Sequence, residues 1–287
     1  MKPNGTFADE LLALTDAIAT ALPLPVVARI HVPPYRPRPG RECEFSAVQL
    51  ADGSTGIAYT LLEDGLSGVQ GARGDASLIG MDPARLAWRF ASPRMADRVL
   101  GLAAINAVSQ WFFRHAGFVP DYATNSFGSL DLGPGDHLGM IGFFGPLVDK
   151  CRELGVALTV LELDATLVQR TAGLEVTLEP GKLAACDKIV STSTVLLNGT
   201  LDDVLAQAAH ATTFVIVGPS AGCVPDPLFA RGVSTVGGAE VIDSEGFMSV
   251  CGALEPWGST TKKYCIQRDA SYPGFAALLE RATRAPR

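Results

Sequence analysis

Residues 137–146, His-Leu-Gly-Met-Ile-Gly-Phe-Phe-Gly-Pro, decide the fold of the second half of the chain. A short apolar run is followed by glycines, which permit a sharp turn, and then by Pro146, which favours the first turn of a helix. This order is typical of a buried strand that leads directly into a helix in an α/β sheet. We therefore predict a strand over His137–Gly142 and a helix over Pro146–Leu154.

The same alternation of strand and helix continues towards the end of the chain. Runs rich in Val, Ile and Leu predict further strands at Ala157–Leu161, Lys188–Val190, Thr213–Val217 and Ser234–Val236. Intervening helices are predicted at Leu201–Ala209 and Asp226–Ala230. Apolar strands that alternate with helices are typical of a doubly wound parallel sheet covered on both faces.

The first 130 residues have a different organisation. A capping box at Thr6–Asp9 predicts a helix start, and residues 51–55 carry a hairpin signal. Three extended runs predict an antiparallel meander, at Val26–Val32, Cys43–Leu50 and Gly56–Leu62. Two helices are predicted next, one starting at Asp82-Pro83 and one over Arg94–Phe113. The second has small residues at 101, 103, 104 and 107, which predict that it packs closely on a neighbour. We predict an α+β domain over 1–130 and an α/β domain over 131–287.

The composition of the 287 residues excludes several classes of protein. Charged residues make up 18% and hydrophobic residues 47%, whereas disordered chains are poor in hydrophobic residues and rich in charge. With 23 Lys and Arg against 30 Asp and Glu, the net charge is −7 and no basic block could neutralise phosphates, so we expect no nucleic-acid partner. The low charge indicates further apolar surface buried between domains or in a homodimer.

Neither a membrane span nor a targeting segment is predicted. The longest apolar stretch, Val99–Phe113, contains polar residues and is shorter than the roughly 20 residues that a span requires. Asp9 and Glu10 lie where a signal peptide would carry basic residues. We therefore expect a cytoplasmic protein.

The cysteines predict no metal site. Six are present, none in a C-x-x-C pair and none beside a paired histidine spacing, at positions 43, 151, 186, 223, 251 and 265. This pattern favours reduced thiols, most of them small core residues. The sequence identifies no cofactor.

Candidate binding residues lie in the loops that follow the predicted strands, because ligands of open α/β sheets bind outside the carboxyl ends of the strands. The first loop supplies backbone amides at a helix start, where anionic groups are favoured. Its glycine spacing, G-x-x-G-x-x-G, is a weak match to a dinucleotide fingerprint. The residues of the four loops are Gly142, Phe144, Gly145 and Pro146; Glu162; Ser191, Thr192, Ser193, Thr194 and Asn198; and Gly218, Pro219 and Ser220.

Two of these positions allow a specific interpretation. Glu162 lies 20 residues after Gly142, where an acidic residue often accepts hydrogen bonds from sugar hydroxyls. It is also a candidate acid or base, and the alternative is a solvated loop carboxylate. Asn106, within the apolar surface of the predicted helix Arg94–Phe113, is either a buried amide bonded to backbone or a catalytic polar group presented to a cleft.

Several of these segments together resemble the "putative heavy-metal chelation" family, a domain of unknown function. They are Gly139–Pro146, Val160–Glu162, Ser193–Thr200 and Val217–Ser220. Gly53–Ala58 and Gly101–Ala107 look like the partner domain that usually precedes it. The resemblance covers about residues 10 to 250. It implies an enolase-N-terminal-like domain followed by a Rossmann-like domain, with a cleft between them.

The resemblance also implies a role in heavy-metal handling, through a pterin-, flavin- or siderophore-like chelator. The first hypothesis is an enzyme that binds a small heterocyclic or polyol-bearing metabolite in the interdomain cleft and acts on it by condensation, hydrolysis or group transfer. The second is a non-catalytic carrier of a metal or metal–chelate complex, using Cys223, Cys251 and histidines. A third is a methyltransferase that uses S-adenosylmethionine.

Overall fold

The computed structural model describes residues 5–34, 44–72, 75–253, 255–270 and 272–284. The described chain forms two lobes, each built on its own sheet. Cys43, the predicted start of the second strand, lies outside the described residues. We number helices and strands in chain order and give their bounds below.

The first lobe contains the predicted antiparallel meander. Its sheet has the order β1-β2-β3, with strands β1 (Val27–His31), β2 (Phe45–Leu50) and β3 (Thr55–Tyr59). Its helices are α1 (Phe7–Ala21), α2 (Gly65–Gly71), α3 (Pro83–Ala87) and α4 (Met95–His115). The predicted capping box at the start of α1 is confirmed, since the Thr6 side chain accepts from the Asp9 N–H and the Asp9 carboxylate accepts from the Thr6 N–H.

Helix α4 packs its backbone directly against β3. A Cβ atom at Gly56 of β3 would lie 2.1 Å from the Ala103 carbonyl oxygen and 2.2 Å from the Ala107 nitrogen. Gly101 of α4 makes a similar approach, since a Cβ atom there would lie 2.2 Å from the Phe90 backbone nitrogen. The small residues of α4 therefore have the close-packing role that the sequence predicts.

The second lobe is built on an eight-stranded sheet of order β11-β10-β9-β8-β4-β5-β7-β6. All neighbours pair in parallel except the two edge strands, β6 and β11. The strands are β4 (His137–Ile141), β5 (Ala157–Leu161), β6 (Gln169–Thr171), β7 (Leu174–Thr177), β8 (Lys188–Thr192), β9 (Thr213–Val217), β10 (Thr235–Val241) and β11 (Thr261–Gln267). The helices are α5 (Gly145–Leu154), α6 (Leu201–Gln207), α7 (Asp226–Ala230), α8 (Ser244–Gly252) and α9 (Phe275–Arg284).

The central strands of the sheet are buried on both faces, as the apolar strands predict. On one face, β4, β5, β7, β8 and β9 pack against α5 and Leu130. On the other face, Ile189, Ile216 and Val236 belong to a core that continues into the first lobe through α4. The two lobes therefore share one hydrophobic core. None of the described helices is long and apolar enough to cross a membrane.

The order of the strands reverses at β4. From β4 the chain goes to β5 on one side and, after the β6–β7 hairpin, to β8 on the other. Such a reversal leaves a crevice outside the carboxyl ends of the two strands on either side of it. We call the space outside the carboxyl ends of β4, β5 and β8 the crevice.

Candidate functional site

The loops after β4 and β8 meet at the crevice. Gly142 adopts a φ of +79°, and a Cβ atom there would lie 3.0 Å from the Thr192 Cγ2 atom. The Gly142 N–H donates to the Leu161 carbonyl at 3.1 Å, which ties the loop to the end of β5. Glycine is needed at this turn because of its positive φ and because of the close approach of Thr192.

Glu162 and two apolar side chains lie beside this contact. The Glu162 carboxylate accepts from the Leu163 N–H at 3.3 Å and is partly exposed. Phe143 is 50% exposed and Leu163 is 78% exposed, and they directly follow Gly142 and Glu162. The crevice thus combines a carboxylate with exposed apolar surface. Neither apolar side chain was predicted from the sequence as a binding residue.

The start of α5 is the third component of the crevice. Gly145 and Pro146 form its first turn, and the loop before it folds back so that the Phe144 N–H contacts the Met140 sulfur at 3.3 Å. Phe144 itself packs edge-on against Phe127, with 5.5 Å between ring centroids. Phe144 therefore supports the loop, and Phe143 is the aromatic side chain that remains exposed.

The four hydroxyl residues at the end of β8 and directly after it divide into buried and partly exposed pairs. Ser191 and Ser193 are buried, and the Ser191 hydroxyl donates to the Thr192 carbonyl at 3.0 Å. Thr192 and Thr194 are partly exposed, and the Thr192 hydroxyl accepts from the Thr194 N–H at 3.4 Å. Of the four, only the two threonines are partly accessible to solvent.

Asn198 lies further along the same loop and stabilises a turn. Its Oδ1 atom accepts from the Thr200 N–H at 3.1 Å and from the Thr200 hydroxyl at 2.7 Å. This is an Asx turn that leads into α6. Its side-chain oxygen is therefore already used.

The loop after β9 belongs to the contact between the lobes, which we call the junction: residues 219–222, β3 and the middle of α4. Gly218 has a φ of +145°, and a Cβ atom there would lie 2.3 Å from the Ser193 hydroxyl oxygen. Ser220 is fully buried, and its hydroxyl accepts from the Tyr59 N–H of β3 at 2.8 Å. Pro219 begins the short turn that carries Ser220. The predicted ligand group Ser220 thus bonds across the lobes.

Asn106 is the centre of the junction. It is 1% exposed, and its amide nitrogen donates to the carbonyls of Ile57 at 2.8 Å and Ser220 at 3.0 Å. Its Oδ1 atom has no hydrogen-bond partner among the described residues. Of the two alternatives drawn from the sequence, the structure shows the buried amide bonded to backbone.

Arg98 of α4 links the junction to the loop after β8, and sequence reasoning missed it. Its Nε atom donates to the Leu197 carbonyl at 2.6 Å, and its guanidinium lies 5.3 Å from the centroid of the Phe90 ring. Burial lowers the pKa of Arg98, and the charge of Glu63 opposes that shift. No sequence pattern around Arg98, which lies in the first half of a long helix, predicts that its side chain contacts the other lobe.

A cavity of about 200 Å³ lies at the far side of the junction, next to β10. Its polar lining comes from Gln110, Arg114, Tyr122 and Glu240, and its apolar lining includes Phe113 and Phe118. The sequence did not indicate Glu240, because the predicted strand ended at Val236 and so did not include it. In the structure both glycines lie inside β10, and Tyr264 fills the space over Gly238, where a Cβ atom would lie 2.4 Å from its ring.

Among the described residues, no group of three or more His, Cys, Asp or Glu side chains could hold a metal ion. The five described cysteines are buried. Cys223 and Cys251, suggested together as carrier ligands, belong to two different core clusters. Burial raises the pKa of Cys223 to about 12 and that of Cys186 to about 11. These thiols are protonated at neutral pH, and thiolate is the form that binds metal.

Comparison with known proteins identifies the family and the fold. Two family models, both described as "Putative heavy-metal chelation", match residues 43–109 (DUF4213) and 125–257 (DUF364), together more than two thirds of the chain. An uncharacterised protein of Methanocaldococcus jannaschii is 27% identical over 177 residues, which are 60% of this chain and 67% of that protein.

Two solved structures share the fold over nearly the whole chain. A protein of unknown function from the DUF364 family of Pyrococcus horikoshii has a TM-score of 0.64 at 22% identity, covering 91% of this chain and 98% of that one. A protein of the same family from Desulfitobacterium hafniense has a TM-score of 0.66 at 19% identity, covering 91% and 99%. Residues 43–109 and 125–257 therefore carry the two domains described as "Putative heavy-metal chelation", and the two solved structures show that the chain shares the fold of DUF364 family proteins.

Proposed function

We propose that the protein binds a small heterocyclic or polyol-bearing metabolite in the crevice and acts on it by condensation, hydrolysis or group transfer. The observation that carries the proposal is the grouping of Glu162, Thr192 and the start of α5 around the reversal of strand order. Open α/β sheets bind their ligands at this place. Phe143 and Leu163 add the exposed apolar surface against which a planar ring could pack.

Each group in the crevice has a role in this proposal. Glu162 accepts hydrogen bonds from ligand hydroxyls or transfers a proton as acid or base. The amides at the start of α5 and the Thr192 and Thr194 hydroxyls bind polar edges of the ring. The junction residues Asn106 and Ser220 act indirectly, by fixing the first lobe over the loops of the second.

The family description supports a metabolite connected with metal chelation. Pterins and flavins have a planar heterocycle with oxygen donors, and siderophores have oxygen donors, which matches the apolar and polar parts of the crevice. The proposal includes an enolase-N-terminal-like first domain (1–130), a Rossmann-like second domain (131–287) and a cytoplasmic location. The parallel order of strands around β4 supports the Rossmann-like assignment.

Thermal shift measurements with a panel of ligands test the proposal. The panel contains nucleosides, pterins, flavins and S-adenosylmethionine. A ligand present at 100 times its Kd stabilises the native state by about 2.7 kcal/mol, which should raise Tm by about 5 °C or more in a chain of this length. We expect one ligand class to give this shift.

Two matched variants connect the shift to the crevice. Glu162→Gln should reduce the ligand-induced shift by at least half, and Glu153→Gln, an exposed position at the far end of α5, should keep it. The proposal fails if no ligand shifts Tm or if Glu162→Gln responds like the unmodified protein. A shift with S-adenosylmethionine alone would favour the methyltransferase. Stoichiometric metal in protein purified without a tag would favour the carrier.

A further inference from the structure

The cavity next to β10 lies apart from the crevice, with β8 and β9 between β10 and β4 in the sheet. It is lined by the last turns of α4, the segment 117–122 that follows and the end of β10, and it is partly open to solvent. Its volume is about 200 Å³. Sites that hold drug-sized ligands are larger, with volumes of about 300–1,000 Å³. Its occupant would therefore be about the size of an amino acid.

Two opposite charges line the cavity without pairing with each other. The Arg114 guanidinium donates to the Ser54 hydroxyl at 2.5 Å, and it forms no salt bridge with any described carboxylate. A guanidinium has five N–H donors, so most of its donors remain available to a ligand. The Glu240 carboxylate accepts a hydrogen bond from the Tyr122 hydroxyl and keeps further acceptor capacity.

The other lining side chains are mainly aromatic and are held by packing or hydrogen bonds. Phe113 and Phe118 are buried and pack edge-on, with 5.2 Å between their ring centroids. Tyr122 is held from outside by the Lys262 ammonium, which lies 4.2 Å from its ring centroid. Gln110 is buried and bonded through its amide nitrogen to the Tyr264 hydroxyl at 3.2 Å. A ligand that enters thus meets a preformed apolar wall with one cationic and one anionic group.

We propose that this cavity binds a small zwitterion with an apolar body, of the size and charge of an apolar α-amino acid. Its carboxylate binds the Arg114 guanidinium, its ammonium binds the Glu240 carboxylate, and its side chain packs against Phe113 and Phe118. A planar guanidinium suits carboxylate recognition because it can donate two parallel hydrogen bonds. The site is separate from the crevice, so neither proposal depends on the other.

Calorimetric titration of the full-length protein with matched probes tests the charge requirement. The probes are leucine and phenylalanine, the acid 4-methylpentanoate, which lacks the ammonium, and the amine 3-methylbutylamine, which lacks the carboxylate. We expect at least one amino acid to bind, and leucine to bind at least tenfold more tightly than either of its two analogues. If neither amino acid binds, or if an analogue binds as tightly as leucine, the proposal is wrong.

Variants locate the binding in the cavity. Arg114→Gln and Glu240→Gln should each weaken binding of the amino acid at least tenfold, and the exposed Arg85→Gln should leave it unchanged. Val119 is 71% exposed at the mouth, so Val119→Trp should fold normally and block entry even if a charge variant is unstable. Undiminished binding to Val119→Trp and to both charge variants would place the ligand elsewhere and overturn the proposal. Glu162→Gln should keep amino-acid binding, which separates this test from that of the crevice.

Discussion

The junction and the crevice both contain polar residues that sequence patterns mark as candidates, but they use them differently. In the junction, Asn106 and Ser220 are buried and bond across the two lobes. In the crevice, Glu162 and Thr192 are partly exposed and make mainly local hydrogen bonds. A polar residue in a strand-end loop can therefore serve either assembly or binding, and its burial and its partners distinguish the two roles.

The largest expected effect is on the backbone contact between β3 and α4. Gly56→Ala places a Cβ atom 2.1 Å from a carbonyl oxygen of α4, and neither backbone can move without disturbing its own hydrogen bonds. We expect the free energy of unfolding in urea to fall by about 3 kcal/mol.

The matched control is a glycine of the crevice. At Gly145 nothing lies within 4 Å of the added Cβ atom, so Gly145→Ala should be neutral or stabilise by about 0.5 kcal/mol. A loss of less than 1 kcal/mol for Gly56→Ala would mean that the junction is less tightly packed than the structure indicates.

Asn106→Ala tests the polar centre of the junction. It removes two hydrogen bonds and leaves the Ile57 and Ser220 carbonyls without that donor in a buried region. An unfolding free energy lower by about 2 kcal/mol is expected.

Asn125→Ala is the comparison for this variant. Asn125 is exposed and accepts one hydrogen bond, from the Phe127 N–H, so its loss should lower the unfolding free energy by only about 0.5 kcal/mol. Equal effects of the two substitutions would contradict the assembly role of Asn106.

The pH dependence of stability tests whether water is excluded from Cys223, the residue that directly follows the junction segment 219–222. Burial raises the pKa of this thiol to about 12. In the unfolded chain the thiol ionises near pH 9. Between about pH 9 and pH 12 the native state therefore keeps a proton that the unfolded chain has lost, so the free energy of unfolding falls as pH rises. Below about pH 9 both states are protonated and the effect vanishes.

Comparison with a variant isolates this thiol from other alkaline transitions. From pH 8 to pH 10 the unfolding free energy of the unmodified protein should fall by about 1 kcal/mol more than that of Cys223→Ala. Identical pH profiles for the two proteins would show that water reaches the thiol.

The smallest effect is expected at the crevice. Glu162→Gln exchanges a partly exposed carboxylate for an amide of the same shape and should change the unfolding free energy by less than about 0.5 kcal/mol. Urea titration in the absence of ligand measures this change. A larger loss would assign Glu162 to assembly rather than to binding.

Some of the fold could be predicted from local sequence. The capping box of α1, the meander and the first strands of the large sheet need only short-range patterns: a Thr–Asp spacing, a hairpin turn and apolar runs. The β6–β7 hairpin could not be predicted in this way. All three residues of β6 are exposed and β7 has four residues, so neither carries a clear apolar period. Strand β11 pairs with β10 on a sheet edge, with two exposed lysines that weaken the same signal.

The sequence predicted which loops meet at the carboxyl edge of the sheet, but not which of their side chains are exposed. Glycines and hydroxyls after apolar strands indicated the carboxyl edge of the sheet, and the structure puts Gly142 and Thr192 together there. Phe143 was missed in favour of Phe144, because only packing against Phe127 shows which of two adjacent rings is covered.

The sequence by itself determined the parallel sheet and the small residues that let α4 approach β3, since both depend on the order and size of neighbouring residues. Only the tertiary structure decided which polar groups remain free. Asn106 and Ser220 are 114 residues apart in the chain, and Tyr59 and Ser220 are 161 apart. No local pattern encodes a hydrogen bond between such distant groups, because it forms only when two lobes pack and exclude water from both partners.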